Sequence, residues 1–392
     1  MKRCLFKLKS QNFWSRKIIQ EPQNNQFRES FDRHRTRQIK VGDVCIGGDA
    51  PITIQSMTTT DTRAPDTTLE QIEELAQAGC QLIRVAVPDQ TAVEALSRIL
   101  RDSPLPVIAD VHFQSKLALA ALEVGVHCLR INPGTINDPR QLRQIARTAG
   151  ELGTPIRIGV NSGSIENHLL DKYGGPVAGA LVESALHHCE FFEANHCSNL
   201  KVSLKSSNTP ITVAAYRKFA AQSSYPLHLG VTEAGTLASG TVKSAVAIGT
   251  LLMEGIGDTF RVSLSAPPIE EIHIGRRILE ACGLRQARPE IISCPTCGRT
   301  EIDLLAMVKR VESEVEKLKR RGYRINLNKI AVMGCTVNGP GEAREADLGI
   351  AGGRGRGVLF RKGQTVATLP ENELVDALLS EIHKHAVDQE KV

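Results

Sequence analysis

No stretch of this 392-residue chain approaches ~18 consecutive apolar residues, which excludes a membrane-spanning helix. No apolar core of roughly 7–15 residues lies near its start, which excludes a secretory signal. No G-x-G-x-x-G follows the first strand-like run, which counts against a dinucleotide-binding fold. The body also lacks excess charge. Lys and Arg total 48 against 43 Asp and Glu. Residues 1–40 hold 11 basic and 3 acidic residues, a net +8 that leaves −3 for the rest. A basic tail on a near-neutral body argues against a nucleic-acid partner for the whole protein.

What is present is ordinary globular composition, 41% hydrophobic and 23% charged. The length suits two domains, or one large barrel with an appendage, and such a chain folds without disulfides. There are ten cysteines. Cys45, Cys80, Cys128, Cys189, Cys197 and Cys282 stand singly and read as small buried side chains in a reducing cytosol, so the expected location is cytoplasmic. Residues 1–36, with the only tryptophan (Trp14), are polar, basic and aperiodic. They read as a disordered extension. Glu21, Glu29 and Asp32 count against an organellar transit peptide.

From residue 37 to 287 one pattern repeats: apolar run, turn, helical stretch. The runs are ITIQSM (52–57), QLIRVAV (81–87), PVIADVHF (106–113), HCLRINPG (127–134), PIRIGVNSG (155–163), NLKVSLKSS (199–207), LHLGVTEAG (227–235) and TFRVSLSA (259–266). Amphipathic segments such as TLEQIEELAQAG lie between them. Gly79, Gly125 and Gly153 stand where a helix should stop. Eight near-continuous apolar strands alternating with helices predict an α/β fold, a closed (β/α)8 barrel.

The C-terminal ends of barrel strands face the active site. Here they carry Arg84, Asp110, His112, Arg130, Asn132, Arg157, Asn161, Lys205, His228, Glu233, Arg261 and Ser263. Asp110 and Glu233 cannot pair five cations, so the excess positive charge predicts an anionic ligand. Arginine's planar fork suits phosphate, and this many donors suit a diphosphate.

Residues 288–392 change in texture. Cys294-x-x-Cys297 precedes a charged helix (308–322), a strand KIAVMGC (329–335), the run CTVNGPGEA (335–343) and a last amphipathic helix, together a small α/β domain. A lone CxxC reads as a zinc half-site, a redox pair or part of an iron–sulfur site. Zinc would bring a second CxxC or an HxxxH, and neither is present. The small βαβ context of a thioredoxin-type pair is missing. Cys335 opens a Gly/Pro-rich loop that lets backbone N–H groups approach a cluster. Three thiolates without a fourth would leave one iron of a 4Fe–4S cube open to another ligand.

CPTCGRTEIDL, with GCTVNGPGEA about forty residues on, resembles the family of 4-hydroxy-3-methylbut-2-enyl diphosphate synthases. IQSMT, ADVHF, RINPG, RIGVNSGS, LGVTEAG and EGIGDTFRVSLS agree, and the likeness runs from about residue 38 to the C-terminus. It implies a (β/α)8 barrel followed by an iron–sulfur domain. The implied reaction is the two-electron opening and dehydration of 2-C-methyl-D-erythritol 2,4-cyclodiphosphate in methylerythritol phosphate isoprenoid synthesis. The family's cluster ligands map onto Cys294, Cys297, Cys335 and Glu342. One 4Fe–4S cluster per subunit is implied, with Glu342 yielding to a substrate oxygen. Arg84, Arg130, Arg157, Lys205 and Arg261 would hold the diphosphate, with His112, Asn132, Asn161 and Ser263 as neutral donors. Glu233 and Asp110 are the candidates for the proton that leaves with water. The donor would be flavodoxin or ferredoxin, and the assembly a homodimer whose subunits share each site. The large insert of plant-type members is absent, as in the two-domain bacterial form. The rival readings are a pterin-dependent methyl transferase on a similar barrel and an iron–sulfur protein binding RNA through its tail.

Overall fold

The computed structural model describes residues 32–136, 138–285, 289–335 and 343–388. Glu342 and residues 1–31 of the extension lie outside the described residues. Residues 32–36, read from sequence as extension, instead bind the barrel: Arg33 pairs with the buried Asp258 at 2.8 Å, and the His34 amide donates to Gly255 O at 2.9 Å.

A hairpin of β1 (Ile39–Val41) and β2 (Val44–Ile46) precedes the barrel. The barrel strands are β3 (Thr53–Met57), β4 (Leu82–Ala86), β5 (Val107–Asp110), β6 (Cys128–Ile131), β7 (Ile156–Asn161), β8 (Leu200–Lys205), β9 (His228–Leu229) and β10 (Thr259–Phe260). They form one parallel sheet in the order β8-β7-β6-β5-β4-β3-β10-β9, and a parallel bridge from Val202 to Leu227 closes it. β9 and β10 are shorter than the apolar runs that predict them, because ladder pairing stops at Leu229 and Phe260, where the chain turns into the mouth at Gly230, φ +154°.

The helices are α1 (Pro65–Gln77), α2 (Gln90–Asp102), α3 (Ser115–Val124), α4 (Pro139–Leu152), α5 (Asn167–Tyr173), α6 (Ala178–Ala194), α7 (Thr209–Ala220), α8 (Leu237–Met253) and α9 (Pro268–Ala281). α2 shows why they form. Asp89 caps it by accepting from the Ala92 amide, and Ala92, Val93, Leu96 and Ile99 make one buried stripe. Gly125 and Gly153 end α3 and α4 with φ of 91° and 68°. Outward-facing strand residues such as Ile54, Ile83, Val85, Leu129 and Val202 meet these helices in the main core. Inward-facing Leu82, Ile108 and Cys128 are covered from below by Ile39, Val41 and Ile46, so the hairpin plugs the barrel's bottom. The chain leaves the barrel at that same bottom: Arg285 Nη2 donates to Gln81 Oε1 at 2.6 Å and to Ile52 O at 3.3 Å.

The C-terminal unit has its own core. β11 (Glu290–Ser293), β13 (Lys329–Met333), β14 (Leu348–Gly353), β15 (Arg356–Arg361) and β16 (Gln364–Pro370) form a mixed sheet, parallel through β14 and antiparallel beyond it. α10 (Leu304–Arg320) and α11 (Glu371–Lys384) cover one face with Leu304, Val311, Val315, Leu374 and Leu378. β12 (Tyr323–Ile325) pairs with β17 (Ala386–Asp388). Five of the six single cysteines are buried as expected; Cys45, on the edge hairpin, is exposed.

Candidate active site

Of the twelve positions that the sequence places at C-terminal strand ends, Arg157 is the second residue of β7 and His228 the first of β9, yet ten of the twelve, Arg157 included, meet around one cavity of about 280 Å³. These are Arg84, Asp110, His112, Arg130, Arg157, Asn161, Lys205, Glu233, Arg261 and Ser263, joined by Ser203, Val231 and Thr232. A diphosphate-sized group fits such a volume. Asn132 does not line it; its amide donates to Ser164 Oγ at 2.7 Å and ties the end of β6 to the loop after β7. His228 lies deeper, fully buried in the barrel.

The mouth is built on close approaches that only glycine permits. A Cβ at Gly159 would stand 2.9 Å from the Arg130 guanidinium, and one at Gly230 would stand 2.5 Å from Lys205 Nζ. Glycines inside strand-like runs are the sequence signal for such approaches.

Charge at the mouth is unevenly paired. Asp110, 7% exposed, accepts from Arg130 at 2.9 Å and lies 3.6 Å from Arg84 and from His112. Burial acts against its ionisation, but Arg84 and Arg130 overcome this and hold the carboxyl well below the usual range. That setting favours the carboxylate form of Asp110 and counts against it as the proton donor. Burial, with the Arg130 charge, pushes the His112 imidazole down, so it is neutral at pH 7. Arg261 is oriented by a residue that sequence reading missed. Glu271 on α9, 2% exposed, accepts from Arg261 Nε and Nη2 at 2.9 and 3.0 Å, from Ser56 Oγ at 3.0 Å and from the Leu264 amide at 3.2 Å. Glu271 lies in the first turn of α9 beside the more exposed Glu270, where a carboxylate reads as an ordinary helix-start residue, and only its core-facing position could have signalled it. Met57 Sδ, a weak acceptor, separates Arg84 (3.0 Å) from Arg261 (3.6 Å) without neutralising either.

Two cations keep no carboxylate among the described residues. Arg157 is 1% exposed, and its Nε and Nη1 have no partner. Lys205 faces Arg157, Arg84, Arg261 and Arg130, and burial with these charges pushes its ammonium far down. Glu233 is exposed at the rim with φ 51°, a left-handed conformation costly for a non-glycine residue. It makes no ion pair among the described residues. Glu271, not Glu233, orients an arginine here.

Removing Glu271 should leave Arg261 buried and unpaired. Glu271→Ala is expected to destabilise the barrel by about 3–5 kcal/mol in chemical denaturation. A loss below about 1 kcal/mol would mean that the pair does not hold the helix to the mouth.

A wider groove of about 780 Å³ runs along α6 outside the barrel. Its Glu166 is consumed locally by His188 at 2.6 Å, and its walls are helix surface, so it does not compete with the mouth as a reaction site.

In the C-terminal unit, β11 and β13 are parallel neighbours, and Cys294 and Cys335 follow their adjacent ends. The Gly334 amide donates to Cys294 Sγ at 3.2 Å, and the Glu301 amide to Gly334 O at 3.3 Å. This folds the CxxC turn against the Cys335 loop. Cys297 is exposed, and the Arg299 backbone amide lowers its thiol's pKa, favouring thiolate. None of the described cysteines is disulfide-bonded. No three His, Cys, Asp or Glu side chains among the described residues close on a single metal ion. A multi-iron cluster spreads its ligands around a larger body, and free thiols on adjacent strand ends with an amide aimed at sulfur fit that donor set.

Residues 36–276 match the family model described as the GcpE TIM-barrel domain, and residues 290–384 match the GcpE protein C-terminal domain. The 4-hydroxy-3-methylbut-2-en-1-yl diphosphate synthase (flavodoxin) of Geobacter sulfurreducens is 54% identical over 350 residues, 89% of this chain and 98% of that protein. The synthase of the same name from Clostridium tetani is 52% identical over 352 residues, 90% of this chain and 99% of that protein. With both domains matched and half the residues shared end to end, the chain belongs to the GcpE family, whose curated members are 4-hydroxy-3-methylbut-2-en-1-yl diphosphate synthases.

Proposed function

We propose that this protein reductively opens 2-C-methyl-D-erythritol 2,4-cyclodiphosphate at the barrel mouth to give 4-hydroxy-3-methylbut-2-enyl diphosphate. The observation that carries this reading is the cationic pocket itself. Asp110 and Glu271 satisfy Arg84, Arg130 and Arg261, while Arg157 and Lys205 are left to a ligand's negative charge. Family membership sets aside the methyl-transferase and RNA-binding readings.

Arg157 and Lys205 bind the diphosphate at the closed end, and the Asp110 pairs fix Arg84 and Arg130 in the wall. Ser263, Asn161 and neutral His112 add uncharged polar contacts. Glu233 is the lining carboxyl not tied to a cation, and it delivers the proton that departs with the lost oxygen as water. Cys294, Cys297 and Cys335 hold a 4Fe–4S cluster, one per subunit, with Glu342 as the remaining protein ligand. When bound, that cluster supplies single electrons and a Lewis-acidic iron. Flavodoxin, which appears in the names of those relatives, is the electron donor, with ferredoxin the second choice.

The working unit is a cytoplasmic homodimer with the site shared between subunits. No helix of the described residues is long and apolar enough to cross a membrane. α8 leaves Val242, Val246 and Met253 exposed at 64%, 53% and 49%, a stripe of one helix face suited to a two-fold contact.

Anaerobically purified protein, given a low-potential one-electron donor, should turn the cyclic diphosphate into the linear monohydroxy diphosphate, followed by phosphorus NMR. Iron-replete protein that leaves the substrate unchanged would sink the proposal.

A further inference from the structure

We propose that Lys201 and His228 form a buried layer beneath the mouth that takes up protons from solvent when the cyclic diphosphate binds above it. This rests on the diphosphate binding at the mouth.

The outward residues of β8, β9 and β10, such as Val202, Leu229 and Phe260, belong to the helix-facing core. Their alternates Lys201, His228 and Thr259 therefore point into the barrel. Thr259 pairs in register with His228 on one side and Thr53 on the other, and Lys201 with Arg157. Lys201, His228 and Thr259 are 0% exposed. Among the described residues, Lys201 Nζ, both ring nitrogens of His228, the Thr259 hydroxyl and both amide atoms of Gln55 have no hydrogen-bond partner. Native interiors rarely leave polar atoms so, and almost never leave a basic group without a counter-charge.

Among the described residues, no buried carboxylate is free to serve this layer. Asp110 is held by Arg84 and Arg130, and Glu271 by Arg261. Asp258, at the barrel's bottom, is held by Arg33, Thr36 and the Leu227 amide. The charges that act most strongly on His228 are cationic: Arg157 from β7, Lys201 and Lys205 from β8, and Arg84 from β4. Lys201 faces Arg157 from β7 and the Cys128 thiol from β6. Burial first, and these cations second, drive the His228 imidazole far below its ordinary range; burial likewise lowers the Lys201 ammonium. Tyr216 donates its hydroxyl to His228 O at 2.6 Å and pins the strand, so the ring cannot escape to solvent.

A ligand that brings two negative charges to Arg157 and Lys205 supplies the missing counter-charge. Protonation of the layer then becomes less costly, and protons enter with the ligand. The proposed reaction consumes protons as water leaves, so a layer charged on binding stores them where the chemistry needs them. Each phosphorus of the cyclic diphosphate carries one strongly acidic oxygen, so the ligand itself does not titrate near neutrality.

The test is calorimetric binding of the cyclic diphosphate to the anaerobic holoenzyme without reductant, in Pipes and Tris buffers and across pH 6.5–8.5. Lower pH favours a complex that binds protons. Kd should therefore rise about 3- to 10-fold per pH unit near pH 7.5, with about 0.5–1 proton taken up per site. Lys205 and His112 also titrate at the mouth, so the variants carry the assignment. His228→Gln with Lys201→Met should lose most of the uptake and flatten the pH profile. Undiminished uptake in that double variant overturns the proposal. So does a flat wild-type profile, whether or not the variants fold. Arg130→Ala is the control: unaltered binding there would displace the ligand from the mouth, whereas binding at the mouth without uptake would remove only the proton layer.

Discussion

Co-expressed Arg130→Ala and Cys335→Ala chains should recover about a quarter of wild-type activity, although each variant alone is inactive. Arg130 stands in the mouth, and Cys335 in the cluster loop of the C-terminal unit. Arg285 binds Ile52 O and Gln81 at the bottom of the barrel, so the chain departs from the end opposite its own mouth. A two-fold contact through the apolar stripe of α8 would set two barrels head to tail, since a helix meeting its own copy across a perpendicular axis runs antiparallel to it. In such a dimer each chain's point of departure would lie on the side of its partner's mouth. Random pairing makes about half the dimers mixed, and a mixed dimer has one intact site of two. Near-zero recovery in verified mixed dimers would mean that each chain closes on itself. Cys335→Ala alone should also lose its brown colour, while Arg130→Ala keeps it.

Barrel class was legible because parallel strands buried on both faces read as continuous apolar runs, and eight of them alternate with helices. The same logic exposed the mouth, where charged residues in such runs gather, although Lys201, fully buried near the start of β8, lies beneath it. What stayed hidden was how those charges pair. Glu271 lies in the first turn of α9, ten residues past Arg261, and its bidentate grip on that arginine depends on a helix rotation that periodicity does not specify. Glu233 shares the mouth with the cations, yet the carboxylate that pairs Arg261 comes from the following helix. Asn132 sits in a motif beside Arg130, but its amide turns to Ser164. His228 was legible as a polar residue at a strand end, yet not its depth, since β9 stops after two residues and places it below the mouth.

Arg157→Met should make the protein more stable and nearly unable to bind its substrate. Arg157 is 1% exposed, lacks partners for Nε and Nη1, and faces Arg84 and Arg130. A guanidinium does not lose its proton to escape such a setting, so the folded protein bears the repulsion. Methionine fills much of the same volume without charge and suits an irregular gap. Replacing buried charge by an apolar side chain of similar size is neutral to stabilising by about 1–4 kcal/mol. For a barrel domain of roughly 250 residues, each kcal/mol raises the thermal midpoint by about 2–4 °C. The ligand loses its most buried cation, and a charged hydrogen bond is worth about 1.5–3 kcal/mol, so Kd should rise about 10- to 150-fold. Ligand-free melting and substrate titration on the same preparation check both signs together. A lower midpoint with unchanged Kd would make Arg157 a structural residue and move the binding charge to Lys205 alone. A higher midpoint with weakened binding identifies Arg157 as a charge held against the fold's own stability for the sake of the diphosphate.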